Sequence, residues 1–270
     1  MPEPPPAGGW DAYLAEYHDA YPGITEDVLE HARDTDGRTP YDWVVDAVPA
    51  GASTVIDLAC GSGPVGRLLG ARQAGPGWVV GIDQSSGELG RARTAAPSAL
   101  LVRAGATALP IADATADAVV VSMALMLVPL EAVLAEVARL LRPGGTLAAT
   151  VPRRSAGGGV RQSGADGEAF VELLRALDQG GTAYPEHLAA DSLGERLSTS
   201  GLTLVDDDSR IFTRRVADAD DAGLVVRSFY VPGTDGARVA EAVAGLERRV
   251  RAAPVRVGYP IRRLVAIRQT

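Results

Sequence analysis

Asp57 closes the apolar, β-branched run Val55-Ile56, and the chain then enters Ala59-Cys60-Gly61-Ser62-Gly63, with a third glycine at Gly66. Glycine in such a turn lets the backbone approach a ligand and take positive φ. The helix that follows aims its first N–H groups at the same place. In an open α/β sheet this combination builds a nucleotide site at the carboxyl end of a strand. Gly61, Gly63 and Gly66 satisfy G-x-G-x-x-G, and Asp83 ends a second apolar run, Val79-Val80-Gly81-Ile82, where a ribose-binding acid belongs.

Two ligand classes compete for such a turn. A nicotinamide dinucleotide, and with it an NAD(P)-dependent oxidoreductase, suits the glycine pattern. The carboxylate of Asp57 opposes it, because a pyrophosphate already carries two negative charges. S-adenosylmethionine carries a sulfonium and an α-ammonium and no phosphate, so the same carboxylate favours it. The electrostatics point to the methyl donor.

Four segments, in order, carry a resemblance. Asp57-Leu-Ala-Cys-Gly-Ser-Gly63 resembles the D-x-[GA]-x-G-x-G motif, and Val80-Gly-Ile-Asp83-Gln-Ser-Ser the acidic second-strand motif, of the class I S-adenosylmethionine-dependent methyltransferases. Ala108-Leu109-Pro110-Ile-Ala-Asp113 through Asp117-Ala-Val-Val resembles the family's approach to strand 4, and Arg139-Leu-Leu-Arg-Pro-Gly-Gly145 its turn before strand 5. The likeness covers about residues 40–152 and is to the small-molecule, UbiE-like branch. It implies a seven-stranded, mostly parallel, doubly wound Rossmann-like sheet whose last strand is antiparallel. It also implies site residues. Asp57 is expected to anchor the turn and the methionine ammonium side, directly or through water, with Ala59, Gly61 and Gly63 shaping the turn. Asp83 is expected on the ribose hydroxyls, Gln84 beside the adenine, and Ser122 and Met123 along the methionyl part. The family's acidic acceptor for the adenine amino group is replaced here by Gly105, leaving the N–H of Ala106 for a ring nitrogen.

Methyl transfer from a sulfonium needs approach geometry, desolvation and, for many acceptors, a base. His18, in Tyr13-Leu-Ala-Glu-Tyr17-His18, lies in an aromatic helix that folds over the donor in relatives; His187 enters the segment 153–190; His31 reads as a mid-helix residue. His18 and His187 are the candidate bases, since imidazole titrates near neutrality. Tyr13 and Tyr17, one turn apart, either pack or close the donor pocket. The lone cysteine, Cys60, reads as a small turn residue, and no metal-ligand set is assigned.

Strands and helices alternate from about residue 53 onward, which calls for a right-handed, doubly wound sheet. Helices are expected at 10–21, 24–34 (with Thr25 as N-cap), 39–48, 64–73, 86–95, 129–141, 168–178, from 191, 219–229 and 235–252. Strands are expected at 53–58, 77–82, 99–103, 117–122, 146–151, 202–213 and 261–268. The core is read as 39–152. Residues 1–38, 153–190 and the insert 217–258 within 191–270 form a helical lid over the carboxyl strand ends. Gly157-Gly158-Gly159 and Gly164–Gly167 have the composition of a hinge.

All 26 basic residues are Arg, against 34 acids, for a net charge of −8. That opposes a nucleic-acid partner, which needs a basic face. Ser122-Met123-Ala124-Leu125 also lacks the Asn-Pro-Pro-Tyr turn with which some relatives hold a base. One cysteine, no apolar run of about 20 residues and no leader pattern point to the cytoplasm and away from a membrane. The reading is a methyltransferase for a small acceptor (O, N or C), in secondary metabolism, as a monomer or homodimer. Its rivals are a donor-binding protein of the same fold that catalyses a cyclisation or isomerisation, and the oxidoreductase.

Overall fold

Side-chain alternation in the first strand, β1 (Thr54–Leu58), divides the protein into two layers. Ile56 and Leu58 pack on one face with Ile82 of β2 (Trp78–Asp83) and Val119 and Val121 of β4 (Ala116–Ser122). Leu130, Leu134 and Val137 of α6 (Leu130–Leu140) cover them. Val55 faces the other way, with Val79 and Val120, under Val65 and Leu69 of α4 (Pro64–Gly70) and Trp43 and Val44 of α3 (Pro40–Val45). A period of two in strands and 3.6 in helices is enough to sort these residues. The computed structural model describes residues 9–72, 75–153, 173, 176, 177, 190–230 and 236–269.

The seven strands run in the order β3-β2-β1-β4-β5-β7-β6, completed by β3 (Leu100–Arg103), β5 (Leu141–Pro152), β6 (Leu202–Val216) and β7 (Val255–Arg268). β1 pairs in parallel with β2 on one side and β4 on the other, so strand order reverses beside β1. Ligands of open α/β sheets bind at that reversal, outside the carboxyl ends. β7 is antiparallel to both β5 and β6, as expected for the last strand. Among the described residues no helix is long and apolar enough to cross a membrane.

The β6–β7 hairpin outruns the sheet. Pro152 at the end of β5 pairs with Ile261, but pairing continues out to Val216 with Val255. Strand 7 therefore starts at Val255, not at 261. The overhang carries α8 (Ala219–Arg227) and α9 (Gly236–Ala252), which pack Val225, Val226, Ala242 and Leu246 onto Val216 and Val257 as a separate small core. Leu173 and Leu177 join it; the rest of the expected helix 168–178 and both glycine runs lie outside the described residues.

Other boundaries shifted for local reasons. β5 was expected from Thr146 and begins at Leu141. An irregularity around Pro143-Gly144, with Gly144 at φ 77, is absorbed within the strand. α1 (Gly9–Ala20) precedes α2 (Ile24–Leu29), which was expected to reach residue 34. It stops because Arg33 exchanges backbone hydrogen bonds with Thr213 on the edge strand β6. Thr25 is not the N-cap. Gly23 is, at φ 77, with its N–H donated to both carboxylate oxygens of Glu88 at 2.9 Å. α5 (Ser86–Ala95) is capped by Ser85, and α7 (Ala190–Thr199) begins where a helix was expected.

Candidate functional site

The carboxyl ends of β1, β2, β3 and β4 open into a cavity of about 220 Å³. Its floor includes Ala59 and Gly61 after β1, Asp83 to Ser85 after β2, Ala104 to Thr107 after β3, and Ser122 to Ala124 at β4. Its roof is Leu14 and His18 of α1, Thr25 and Glu26 of α2, and Tyr230 beyond α8. Side chains of α1 and α2, together with Tyr230, thus lie over the strand ends.

Two floor residues hold backbone conformations that side chains disfavour. Ala59 has φ 57 and Met123 φ 58. Left-handed non-glycine residues cost energy and tend to cluster where a ligand dictates the backbone. Gly61 has φ 52, and a Cβ there would lie 2.0 Å from Glu26 Oε1, so only glycine admits that carboxylate. Gly63 does not line the cavity. It is the N-cap of α4 at φ 88, and its missing Cβ would stand 3.2 Å from Ala92, so it serves the packing of α4 on α5.

Asp83 ties the two loops together. Its Oδ2 accepts the N–H of Gly61 and its Oδ1 that of Ser85, both at 2.9 Å. Burial nonetheless raises its pKa above the usual carboxylate value. Gln84, Gly105, Ala106, Ser122 and Met123 all line the cavity. Gly105 faces open space, with no heavy atom within 4 Å of where a Cβ would be. Ser122 Oγ is 3.0 Å from Thr150 Oγ1.

Asp57 lies under the turn, outside the cavity. It shares the side-chain direction of Val55, is 1 % exposed, and does not line the cavity. The N–H of Gly66 donates to it, so it anchors the start of α4 from beneath. Its Oδ2 has no hydrogen-bond partner among the described residues, and burial together with the charge of Asp83 pushes its pKa up to about 8. Cys60 is buried in the same turn, and burial pushes its thiol up, the state of an inert residue.

His18 does reach the cavity. Its Nδ1 is 2.8 Å from Glu88 Oε1, and its Nε2 is 3.3 Å from the hydroxyl of Tyr230, which is 3.2 Å from Thr25 Oγ1. A carboxylate only accepts, so Nδ1 carries the proton and Nε2 presents its lone pair. Tyr17 is absent from the lining. Adjacent residues on α1 point differently, and the Tyr17 hydroxyl donates to the carbonyl of Arg227 while its ring lies 5.1 Å from that of Tyr230. It fastens α1 to α8, and Ser85 Oγ to Asp19 at 3.1 Å fastens α1 to the floor. His31 Nδ1 bonds the carbonyl of Asp27 at 2.9 Å on an exposed turn, away from the cavity. His187 lies outside the described residues.

Sequence reasoning missed Glu26, Glu88 and Tyr230. Glu26 reads as a first-turn acid favoured by the helix dipole. Glu88 reads as the third residue after a Ser cap, a capping-box pattern. Ser85 does accept the N–H of Glu88 at 3.2 Å, but the Glu88 side chain turns to Gly23 and His18 instead. Glu26 takes the N–H of Ser62, and its Oε2 is closed off from solvent without a partner. Burial and the charge of Glu88 push its pKa up to about 8. Asp83 and Glu26 place two carboxyl groups on the cavity wall, Glu88 lies buried behind His18, and no Arg is among the described lining residues.

Residues 56–149 match the family described as a methyltransferase domain. The chain is 36% identical over 111 residues to 2-phytyl-1,4-naphtoquinone methyltransferase of Thermosynechococcus vestitus, covering 40% of this chain and 48% of that protein. It is 38% identical over 98 residues to demethylmenaquinone methyltransferase of Symbiobacterium thermophilum, covering 34% and 39%. The chain thus spans about half the length, or less, of these curated relatives. Among solved structures, the [4+2]-cyclase SpnF superposes with a TM-score of 0.63 at 19% identity, over 100% of both chains. A Haloferax volcanii methyltransferase, solved in complex with the Trm112 activator, superposes with a TM-score of 0.61 at 20% identity, over 95% and 98%. At these identities the likeness is one of fold.

Proposed function

We propose, for a chain whose core belongs to the class I S-adenosylmethionine-dependent methyltransferase family, small-molecule type, that the cavity binds the donor and methylates a small acceptor that loses a proton to His18. The observation that carries this reading is the Glu88–His18 pair, 2.8 Å apart, in the roof of a cavity whose floor is the glycine turn and Asp83. The cavity's chemistry suits such a donor. Its carboxylates, with no Arg among the described lining residues, disfavour a pyrophosphate and favour a cation, which also argues against the dinucleotide.

The donor, when bound, supplies a methyl group on a sulfonium that departs as a neutral thioether. Asp83 accepts from the ribose hydroxyls through lone pairs that the Gly61 and Ser85 N–H groups leave free. Gln84, Gly105 and Ala106 border the adenine, and Ala59, Gly61, Ser122 and Met123 the methionyl part. The acceptor's proton passes to His18 Nε2, directly or through the Tyr230 hydroxyl. Glu88 stabilises the imidazolium that forms, as a buried carboxylate does in other base pairs of this kind. Leu14, Leu127 and Tyr230 exclude water, which strengthens those interactions. His187, the hinge glycines of 153–190 and the division of the chain into core and lid belong to this proposal, as do a cytoplasmic location, a monomer or homodimer, and a secondary metabolite as acceptor.

The test is calorimetry with S-adenosylhomocysteine, NADH and NADPH, followed by incubation of donor with hydroquinone, phenol and amine acceptors under mass detection. Homocysteine-product binding with a product heavier by one methyl supports the reading; binding of a nicotinamide alone overturns it. A second reading, donor binding without methyl transfer, is favoured by the vacant acceptor position at Gly105 and the full-length fold likeness to a cyclase. It requires a product of unchanged mass formed only in the presence of donor.

A further inference from the structure

On the β1 side of the cavity floor, the turn Ala59–Gly63 puts no carboxylate into the cavity. Asp57, the acid that the motif offers for an ammonium group, lies beneath the turn, accepts the N–H of Gly66 and does not line the cavity. Another carboxylate stands in the cavity instead. Glu26 descends from α2 until a Cβ on Gly61 would touch its Oε1 at 2.0 Å, takes the N–H of Ser62, and leaves Oε2 shielded and unpartnered.

We infer that Glu26 holds the α-ammonium of S-adenosylmethionine, so that the methionine end of the donor is bound by the lid and not by the glycine turn alone. The inference rests on the donor-binding reading above. Position supports it. With the adenine over Ala104–Ala106 at the end of β3 and the ribose on Asp83 at the end of β2, the next strand across the sheet is β1. There the lining groups are Ala59, Gly61 and, above Gly61, Glu26. Charge supports it as well. Asp83 and Glu88 both raise the cost of a charge on Glu26, and the nearby imidazole of His18 is committed to Glu88. An ammonium at Oε2 would give that oxygen the partner it lacks, with the donor itself supplying the counter-charge. The arrangement also couples binding to closure, because α2 must be seated for Glu26 to reach the turn.

Calorimetry of Glu26→Gln against two probes decides it. S-adenosylhomocysteine carries the amino-acid end, and 5′-methylthioadenosine shares the adenine, ribose and thioether but lacks it. Loss of one charge-assisted hydrogen bond should weaken S-adenosylhomocysteine by about ten- to a hundredfold and leave methylthioadenosine unchanged. Glu26→Asp, which keeps the charge on a shorter arm, should lie between parent and Gln for the first probe only, and stands in if the Gln variant fails to fold. Equal losses for both probes, or none for either, overturn the inference and leave Glu26 a structural residue. A parent protein that binds neither probe removes the donor-binding reading itself, an outcome distinct from either variant result.

Discussion

The imidazole of His18 and the carboxylate of Glu88 meet at 2.8 Å although they are 70 residues apart, one on α1 and one in the first turn of α5. Glu88 is 1 % exposed and also accepts the N–H of Gly23 with both oxygens. One buried side chain therefore sets the tautomer of the candidate base and the start of α2, which carries Glu26. The chemistry of the roof and its placement share a single anchor.

His18→Ala should lower kcat for methyl transfer by about 10²–10⁴-fold, the usual worth of a positioned base. S-adenosylhomocysteine affinity should stay within about threefold, a shift under 1 kcal/mol. Glu88→Gln keeps the shape and one acceptor for Nδ1 but removes the charge that supports the imidazolium, so kcat should fall while S-adenosylhomocysteine affinity stays near the parent's. An unchanged kcat in His18→Ala would show that the acceptor needs no base from α1.

Asp83→Ala should lose most donor affinity. Two hydrogen bonds from ribose hydroxyls would go, each worth about 1.5–3 kcal/mol when the acceptor is charged. The Gly61 and Ser85 N–H groups would also lose their common acceptor, loosening both loops. Calorimetry with S-adenosylhomocysteine reads the effect, and affinity within threefold of the parent would place the ribose elsewhere.

Gly105→Asp should tighten donor binding by up to about tenfold, one hydrogen bond's worth. Space is not the obstacle, since nothing lies within 4 Å of the new Cβ. No gain in a variant with parental circular dichroism would mean that another group already serves the adenine amino nitrogen.

Asp57→Asn should stabilise the free protein at neutral and basic pH. The folded carboxyl holds its proton up to about pH 8 because of burial and the charge of Asp83, whereas an unfolded Asp releases it near about 4. Between those values the folded state binds the extra proton, so stability falls as pH rises, and the loss is complete above the folded pKa. Asn keeps an acceptor for the Gly66 N–H without titrating. Thermal melts from pH 4 to 9 should show the variant ahead by several degrees at pH 8, with the gap closing toward pH 4. A variant less stable than the parent at pH 8 would contradict this account.

The sequence by itself determined the sheet, the glycine turn and the placing of Asp83 at the end of β2. Val55, Ile56 and Leu58 sort by a two-residue period, and Leu130, Val133, Leu134 and Val137 by a helical one. Gly61 and Gly63 mark positive φ, a requirement local to the residue. The alternation even places Asp57 on the side of Val55, but which side of the turn the ligand takes is not a local property. Tertiary structure decided the roof. His18 meets Tyr230 across 212 residues because Tyr17 and Ser85 fasten α1 to α8 and to the floor. Glu26 and Glu88 look like ordinary first-turn acids, since helix dipoles and caps favour acids there whatever their destination. Only the docking of α2 and α5 around Gly23 and Gly61 buries both carboxyls, Glu26 against the cavity and Glu88 behind His18.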